Sequence, residues 1–276
     1  MQSLITRVRE YRPSRVYAVV DGPDEKLRHH DLVRMTINEI EKIDWPCKVI
    51  RLFSSYNMGS AKRIISGLDE VFRHEESAII LEDDCLPSQD FFRFCESGMV
   101  HLLNNPKIGR IGGQNRWWSE DSQFSAMAVQ SSGIWGWATS GSVWQSFRAW
   151  QKGGHHDNSA VLIRDIFGTY GMFRKIVRLR LLANRENRRQ WGVQFSLFCR
   201  HSGLLGISPR VDLVENVGFD ERATRTKKKG INHFDIGQLP EDLRFPDLSL
   251  TQANLERKKS RNEMRIYLRG LFWSNP

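Results

Sequence analysis

The sequence contains few cysteines and no long apolar run. Its four cysteines form no Cys-x-x-Cys pair and no spacing typical of a zinc site, so reduced thiols are the simplest interpretation. No apolar stretch approaches the roughly 20 residues of a membrane-spanning helix, and the first residues lack the apolar core of a signal peptide. Internal repeats and low-complexity segments are also missing. These features predict a cytoplasmic protein.

The charge balance is basic but does not select a partner. The 276 residues include 41 basic and 32 acidic side chains, which gives a net charge of +9. Such a balance permits nucleic acid, a membrane surface or small anionic substrates. The length suffices for one large domain, or for a domain with an appended lobe, around a substantial core.

A short apolar run followed by three acids organises the chain. Residues 78–81 predict a strand buried on both faces, and Glu82, Asp83 and Asp84 follow it directly, before a helix that Ser88 can cap. Adjacent carboxylates repel one another unless a cation or several donors hold them. Because open α/β sheets bind ligands at the carboxyl ends of their strands, we expect a divalent cation with a diphosphate here. A solvated acidic loop is the alternative.

An earlier predicted strand ends in the same way. Residues 16–20 form an apolar run that Asp21, Gly22 and a proline interrupt sharply. This turn would bring Asp21 to the edge of the sheet that carries the acidic triplet. An ordinary turn explains the same residues equally well.

A third strand-to-helix turn follows the predicted strand at 49–53. Ser60 is expected to cap the next helix, so that Asn57, Gly59 and Lys62 surround the N-terminus of that helix. Main-chain donors and a cation there suit a phosphate or a nucleotide, although a plain capped helix with a surface lysine is the alternative. The order strand, helix, strand, helix, strand predicts a parallel α/β layer over the first hundred residues.

Tryptophans are concentrated in the middle of the chain. Trp135 and Trp137 are separated by one glycine. Indole rings of this kind stack on sugar rings or pack in a core, and the sequence leaves both open. Residues 159–203 have a helical pattern, in which the basic run at 174–189 is interpreted as a solvated face.

Residues 80–92, with the sequence Ile-Leu-Glu-Asp-Asp-Cys-Leu-Pro-Ser-Gln-Asp-Phe-Phe, resemble a known family. They are similar to the metal-site strand and following helix of nucleotide-sugar glycosyltransferases with the GT-A fold. The pattern is closest to bacterial relatives of the family 2 enzymes and looser in N-acetylglucosaminyltransferase I. Four further segments match that bacterial group in order and spacing, and the match runs from about residue 4 to 229: Asp21-Gly-Pro, Asn57-Met-Gly, Ile134-Trp-Gly-Trp-Ala-Thr139, and 209–219 with Ala223-Thr-Arg-Thr226.

The resemblance implies a nucleotide-diphospho-sugar donor and a divalent cation, usually Mn²⁺ with Mg²⁺ as an alternative. It makes Asp84 the metal ligand, places Glu82 and Asp83 on the donor sugar or ribose, and places Asp21 on the base or ribose. The acceptor hydroxyl would be deprotonated by a carboxylate that the sequence does not identify. The remaining residues expected at the nucleotide sugar are Gly22, Asn57, Lys62 and Arg225, and those expected at the acceptor are Trp135, Trp137 and Trp191.

The implied fold is α/β, a GT-A Rossmann-like arrangement with a mostly parallel central sheet flanked by helices and a helical and loop region on the acceptor side. The transferase domain would span 1–229, with a donor half at 1–112 and an acceptor half at 113–229. Residues 230–276 form a polar tail with an amphipathic helix. That helix is expected to contact a membrane surface or a partner, or to pack on the core of the protein itself.

The predicted function is metal-assisted transfer of a sugar to a glycan, polysaccharide or lipid-linked acceptor by a cytoplasmic protein that can be peripheral to the membrane. Two positions depart from the family pattern: Gly192 replaces an acid, and Arg225 replaces a histidine. A divergent sugar-nucleotide-binding protein without transferase activity is therefore an alternative. A nucleotidyltransferase is a weaker one, because the glycine-rich basic loop that class needs is missing. Nucleic acid is not expected as a partner, because acids at the sheet edge suit it poorly.

Overall fold

The computed structural model describes residues 1–24, 29–115, 124–130, 132–167, 172–218 and 236–246. Within these ranges the protein is mixed α/β, as the sequence predicts. None of the helices in these ranges is long and apolar enough to span a bilayer.

The helices and strands alternate through the first half of the chain, and helices predominate in the second. The helices are α1 (Gln2–Tyr11), α2 (His30–Ile40), α3 (Ser60–Val71), α4 (Gln89–Asn104), α5 (Gly141–Lys152), α6 (Ser159–Phe167), α7 (Met172–Ala183), α8 (Arg185–Arg189) and α9 (Trp191–His201), with a 3-10 turn at His155–Asp157. The strands are β1 (Arg15–Val20), β2 (Lys48–Phe53), β3 (Ser77–Ile80), β4 (Cys85–Pro87), β5 (Ile108–Gly112), β6 (Ala126–Val129), β7 (Trp137–Ser140), β8 (Leu205–Pro209) and β9 (Val214–Asn216).

The first two strands form a separate parallel pair in register from Arg15 opposite Lys48 to Val20 opposite Phe53. Helix α3 packs on β1 so closely that a Cβ on Gly67 would lie 2.6 Å from the side chain of Val19. A parallel pair needs a crossover connection, which α2 provides. The expected strand–helix–strand order is therefore confirmed for this part of the chain.

The start of α3 differs from the expectation. The helix begins at Ser60, and its N-cap is Gly59 rather than Ser60. Gly59 has φ 78° and ψ 145°, a backbone conformation that favours glycine over any residue with a Cβ. The sequence pattern identified the correct turn but the wrong capping residue.

The central sheet is mixed, so the prediction of a mostly parallel sheet is wrong. Its strand order is β3-β7-β5-β8-β6, and among these neighbours only β5 and β8 run parallel. The described parts of the chain between β5 and β7 contain β6 and loops but no crossover helix, so β7 runs back antiparallel between β3 and β5. Short apolar strands buried on both faces look alike in either direction, which is why the sequence pattern did not reveal this reversal.

Two main clusters of apolar side chains lie against this sheet. One gathers the inner face of α4, including Phe91 and Phe94, with residues of β5, β6 and β8. The other joins α3, α5 and α9 around Trp144 and Phe195. The helical residues in both clusters follow the spacing of one helix face, which is the pattern that predicted these helices.

Part of the expected polar tail is packed against α4. The guanidinium of Arg93 donates hydrogen bonds to the main-chain carbonyls of Leu239, Pro240 and Glu241 at 2.7–3.1 Å. Asp90 in turn accepts a hydrogen bond from the main-chain N–H of Leu239 at 2.7 Å. Residues 236–246 therefore belong to the packed part of the protein.

Candidate functional site

The loops that follow β1 and β2 are joined through the carboxylate of Asp21. One oxygen accepts hydrogen bonds from the main-chain N–H groups of Gly22 and Met58, and the other accepts one from Gly59, all at 2.9 Å. The side chain of Asn57 completes the junction by donating to the carbonyl of Gly22 at 3.1 Å. Asp21, Gly22 and Asn57, three of the predicted site residues, thus meet here. The side chain of Asp21 accepts hydrogen bonds from main-chain N–H groups.

The glycine in this junction is required by the packing. A Cβ on Gly22 would lie 2.5 Å from the main-chain N and O of Tyr56, a distance that real Cβ atoms do not adopt. Lys62 lies one turn away in α3, where its side chain is exposed. We call Asp21, Gly22, Tyr56, Asn57 and Gly59 the strand-end junction.

The acidic triplet lies in a turn rather than along the end of a strand. The main-chain N–H of Cys85 donates to the carbonyl of Glu82 at 3.0 Å, which closes a four-residue turn. Asp83 at its tip is exposed, whereas Glu82 and Asp84 are half-buried. The three acids therefore follow a turn and differ in exposure, instead of alternating along a strand.

Asp84 is held against the residues that follow β9. Strand β4 pairs antiparallel with β9, with Cys85 opposite Asn216. The pairing continues one step further, because the N–H of Val217 donates to the carbonyl of Asp84 at 2.8 Å. A Cβ on Gly218 would lie 3.0 Å from both Cβ and Cγ of Asp84 and nearer still to Oδ2. Only glycine leaves room for this carboxylate.

The side chain of Asn216 fixes that close approach, and the sequence analysis did not single it out. It is 7 % exposed, and its Oδ1 accepts a hydrogen bond from the N–H of Gly218 at 2.8 Å. An asparagine that bonds the main chain two residues later is a common turn device. The sequence Asn-x-Gly could therefore have indicated it.

The thiol of Cys85 is buried beside Asp84. Cys85 is fully buried, and its Sγ lies 3.5 Å from Oδ1 of Asp84, as a weak donor. Burial, and after it the negative charge of Asp84, raises the pKa of Cys85 well above its ordinary value. A raised pKa favours the protonated thiol, which can donate this weak hydrogen bond to Asp84.

Asp84 is the carboxylate of the acidic turn that adjoins the β4–β9 pairing. Asp84 forms no ion pair with the residues that the structure describes, and those residues contain no group of three His, Cys, Asp or Glu side chains able to hold a metal alone. Mg²⁺-type ions commonly bind through one or two carboxylates together with substrate phosphates and water. A half-buried and unpaired Asp84 fits a cation of that kind if it arrives with a diphosphate.

Two of the three tryptophans expected at the acceptor lie in the core. Trp137 is fully buried and Trp191 is 4 % exposed, and their rings stack with centroids 5.6 Å apart. Phe195 contacts Trp137 from α9 at 5.1 Å. Rings buried this deeply are not accessible to a sugar, so the structure contradicts the expectation that Trp137 and Trp191 stack on an acceptor.

Trp135, at the edge of the same segment, is less deeply buried than Trp137 and Trp191. Its side chain is half-buried against the cluster around α4. The next residue, Gly136, has a positive φ of 61°. A Cβ on Gly136 would lie 2.6 Å from Val214, and the carbonyl of Gly136 accepts a hydrogen bond from the N–H of Gly113 at 2.8 Å. The Trp-Gly-Trp segment thus packs directly against β9, next to the acidic turn.

The structure produces two separate groups of candidate residues. The strand-end junction contains Asp21, Gly22 and Asn57, and the second group contains Asp84, Gly218 and the segment of Trp135. No hydrogen bond or ion pair of Asp21 or Asp84 connects the groups within the described residues. The prediction for Arg225 falls on residues outside the described ranges, as does the amphipathic helix expected near the C-terminus.

Comparison with known proteins adds no assignment. The chain matches no protein-family model, and no curated protein matches it.

Proposed function

We propose that the protein is a glycosyltransferase that uses a nucleotide-diphospho-sugar donor with a divalent cation. The substrate class follows from the resemblance of residues 80–92 and the other matching segments to that family. No other chemistry suggested by the sequence accounts for the acidic turn and the Trp-Gly-Trp segment together.

One observation carries the proposal: three segments that resemble the same family, although distant in sequence, meet along the β4–β9 pair that follows Asp84. The acidic turn is hydrogen-bonded to the Asn216-Val-Gly segment, and the Trp-Gly-Trp segment packs on Val214 of β9. Structural scaffolds do not need an unpaired carboxylate at such a junction, whereas a metal–diphosphate site does.

Asp84 and the strand-end junction would bind the donor and its cation, and Gly218 would position Asp84. Asp84 would hold the cation, and Gly218 would let the main chain approach close enough to keep that carboxylate in place. The cation would supply charge neutralisation for the departing diphosphate. The strand-end junction would present the N-terminus of α3 and the exposed Lys62 to the anionic part of the donor.

Binding of a sugar nucleotide without transfer is the second candidate. Position 192, where the related enzymes often carry an acid, is a glycine whose Cβ would lie 2.6 Å from the end of the Ile134 side chain. Gly192 therefore adjoins the segment of Trp135, but it has no carboxylate that could deprotonate an acceptor hydroxyl.

Calorimetry with UDP-, GDP- and dTDP-sugars, with and without Mn²⁺, tests the proposal. We expect one donor class to bind more tightly with Mn²⁺, and Asp84→Asn to remove that gain while the far-UV circular dichroism stays unchanged. Asp31→Asn is the matched control, because it removes an exposed carboxylate on α2. Release of nucleoside diphosphate from the bound donor then separates transfer or hydrolysis from simple binding.

Two outcomes contradict the proposal. Binding of no sugar nucleotide by the folded chain would remove the substrate class. Undiminished Mn²⁺-dependent binding by Asp84→Asn would remove the acidic turn from the site.

A further inference from the structure

The helical region after the 3-10 turn carries most of the net charge of the protein. Residues 159–190 contain eight basic and two acidic side chains and so contribute six of the nine net positive charges. One of the two acids, Asp165, is 8 % exposed and paired with Arg200 of α9 through Nε and Oδ1 at 2.6 Å. Because that acid faces inward, it adds little negative charge to the outer surface of the region.

Helix α6 has an inner and an outer face with different chemistry. Val161 and Asp165, four residues apart, are both buried against the rest of the protein. Ile163 lies about 200° around the helix from each of them, and it is 53 % exposed. Arg164 is exposed next to it. The outer face therefore combines an apolar side chain with a cation.

Helix α7, which packs on α6, repeats this combination. Ile176 and Leu179 are three residues apart and share one helix face, with 43 % and 52 % of their surfaces exposed. Arg180 is exposed beside Leu179, whereas Leu182 is 2 % exposed in the cluster around α9. We call Ile163, Arg164, Ile176, Leu179 and Arg180 the outer face.

The outer face is held on a fixed base. Besides the Asp165–Arg200 pair, Arg188 donates to the carbonyl of Leu182 at 2.5 Å and bonds Asp157 at 3.1 Å. The exposed isoleucines and leucine are thus presented by helices whose opposite sides are anchored. Large apolar side chains on a firmly held basic surface are typical of an interaction site.

We propose that the outer face of α6 and α7 docks on an anionic lipid surface. Apolar side chains among arginines are the composition of helices that lie in a membrane interface, where the apolar groups enter the acyl boundary and the cations bind headgroups. A nucleic acid would use the arginines but would leave Ile163, Ile176 and Leu179 in water. An acidic lipid surface accommodates both kinds of group at once.

This proposal is independent of the proposed function, because docking needs no nucleotide sugar. The test is flotation of the full-length chain with vesicles of phosphatidylcholine and phosphatidylglycerol in equal amounts, compared with phosphatidylcholine alone. We expect the chain to float with the anionic vesicles and to dissociate as salt is raised.

A matched pair of double variants tests the apolar contribution. Ile176→Ser with Leu179→Ser removes two exposed apolar side chains of the outer face, and we expect vesicle partitioning to fall about tenfold or more. Leu32→Ser with Met35→Ser removes two side chains that are similarly exposed and equally spaced, but on α2. The α2 variant should float like the parent. Both changes are on the surface and should leave the fold intact.

A charge reversal tests the basic contribution. Arg180→Glu should weaken partitioning to anionic vesicles about tenfold or more. The control is Arg7→Glu, which reverses the charge of an exposed arginine on α1. Its reduction in the free energy of partitioning should be less than half as large. Leu271→Ser with Phe272→Ser, made in the full chain, measures the contribution of the predicted C-terminal helix in the same assay.

Three results would overturn the proposal. The parent chain could fail to float with anionic vesicles. The outer-face double variant could float as well as the parent, which would leave charge alone as the cause. Or flotation could be lost in the C-terminal variant while the outer-face variant keeps it.

Discussion

The main-chain N–H of Val217 donates a hydrogen bond to the main-chain carbonyl of Asp84 at 2.8 Å. This bond extends the β4–β9 pairing by one residue, so Gly218 lies directly over the carboxylate of Asp84. Because neither bond partner uses its side chain, the arrangement keeps the carboxylate free for another interaction. The position of the acidic turn therefore depends on a segment far away in sequence.

Gly218→Ala should weaken metal-dependent donor binding. The new Cβ would lie 3.0 Å from Cβ and Cγ of Asp84 and closer to Oδ2, so the carboxylate must turn away. We expect the dissociation constant for the donor with Mn²⁺ to rise about tenfold, equivalent to about 1.4 kcal/mol, in calorimetric titrations.

Val217→Ala serves as the control for that change. It shortens an exposed side chain on the adjacent residue and keeps the main-chain bond to Asp84. If the variants at 217 and 218 bind donor equally well, the orientation of Asp84 is irrelevant to binding.

Asp21→Ala should destabilise the protein whether or not Asp21 contacts a nucleotide. The change leaves the N–H groups of Gly22, Met58 and Gly59 without their acceptor. Since the site is half-buried and water can replace part of the loss, we expect the free energy of unfolding to fall by about 2 kcal/mol. Urea unfolding measures it, with Asp83→Ala as a control expected to stay within about 0.5 kcal/mol. If Asp21→Ala lowers the free energy of unfolding no more than Asp83→Ala does, the hydrogen bonds of Asp21 do not stabilise the protein.

Trp137→Ala should act on stability rather than on acceptor binding. The ring is fully buried between Trp191 and Phe195, and removing it leaves a large cavity. Such substitutions cost about 3–5 kcal/mol. Trp135→Ala, at a half-buried ring, should cost clearly less in the same urea titration. A larger loss at 135 than at 137 would contradict the assignment of Trp137 to the core.

Glu75 should make the stability depend on acid pH. Burial alone would raise the pKa of Glu75, but hydrogen bonds from Arg15 and Tyr17 outweigh it and hold the pKa below its ordinary value. A carboxyl whose pKa is depressed by folding stabilises the protein fully above its ordinary pKa, and that contribution is lost as the pH falls through the depressed value. We expect Glu75→Gln to be less stable than the parent at neutral pH, and this difference in the free energy of unfolding to shrink as the pH falls below the ordinary pKa of a glutamate. Unfolding in urea across this range checks it, and a constant difference would exclude the titration of Glu75 as its cause.

Most helices and strands could be located from the amino-acid sequence alone. Helix α4 starts after Ser88, as the local pattern predicts, and α1 ends just before a proline, Pro13. These features depend on neighbouring residues: on the apolar spacing of a helix face, on proline, and on turn-forming side chains. The sequence also placed Asp21, Gly22 and Asn57 at strand ends, where the structure finds them bonded to one another.

The direction of the strands and the burial of individual side chains, in contrast, depend on contacts that form only in the folded protein. An apolar strand can pair in either direction, and the return of β7 between β3 and β5 depends on contacts distant in sequence. In the same way, Trp137 is as apolar in the sequence as a binding-site indole, and its burial depends on α9 packing over it. Asp84 contacts Gly218 because β4 pairs with β9, which is more than 100 residues away in the sequence. Burial and strand pairing are properties of the assembled fold. A local sequence pattern does not show which distant segment packs against it.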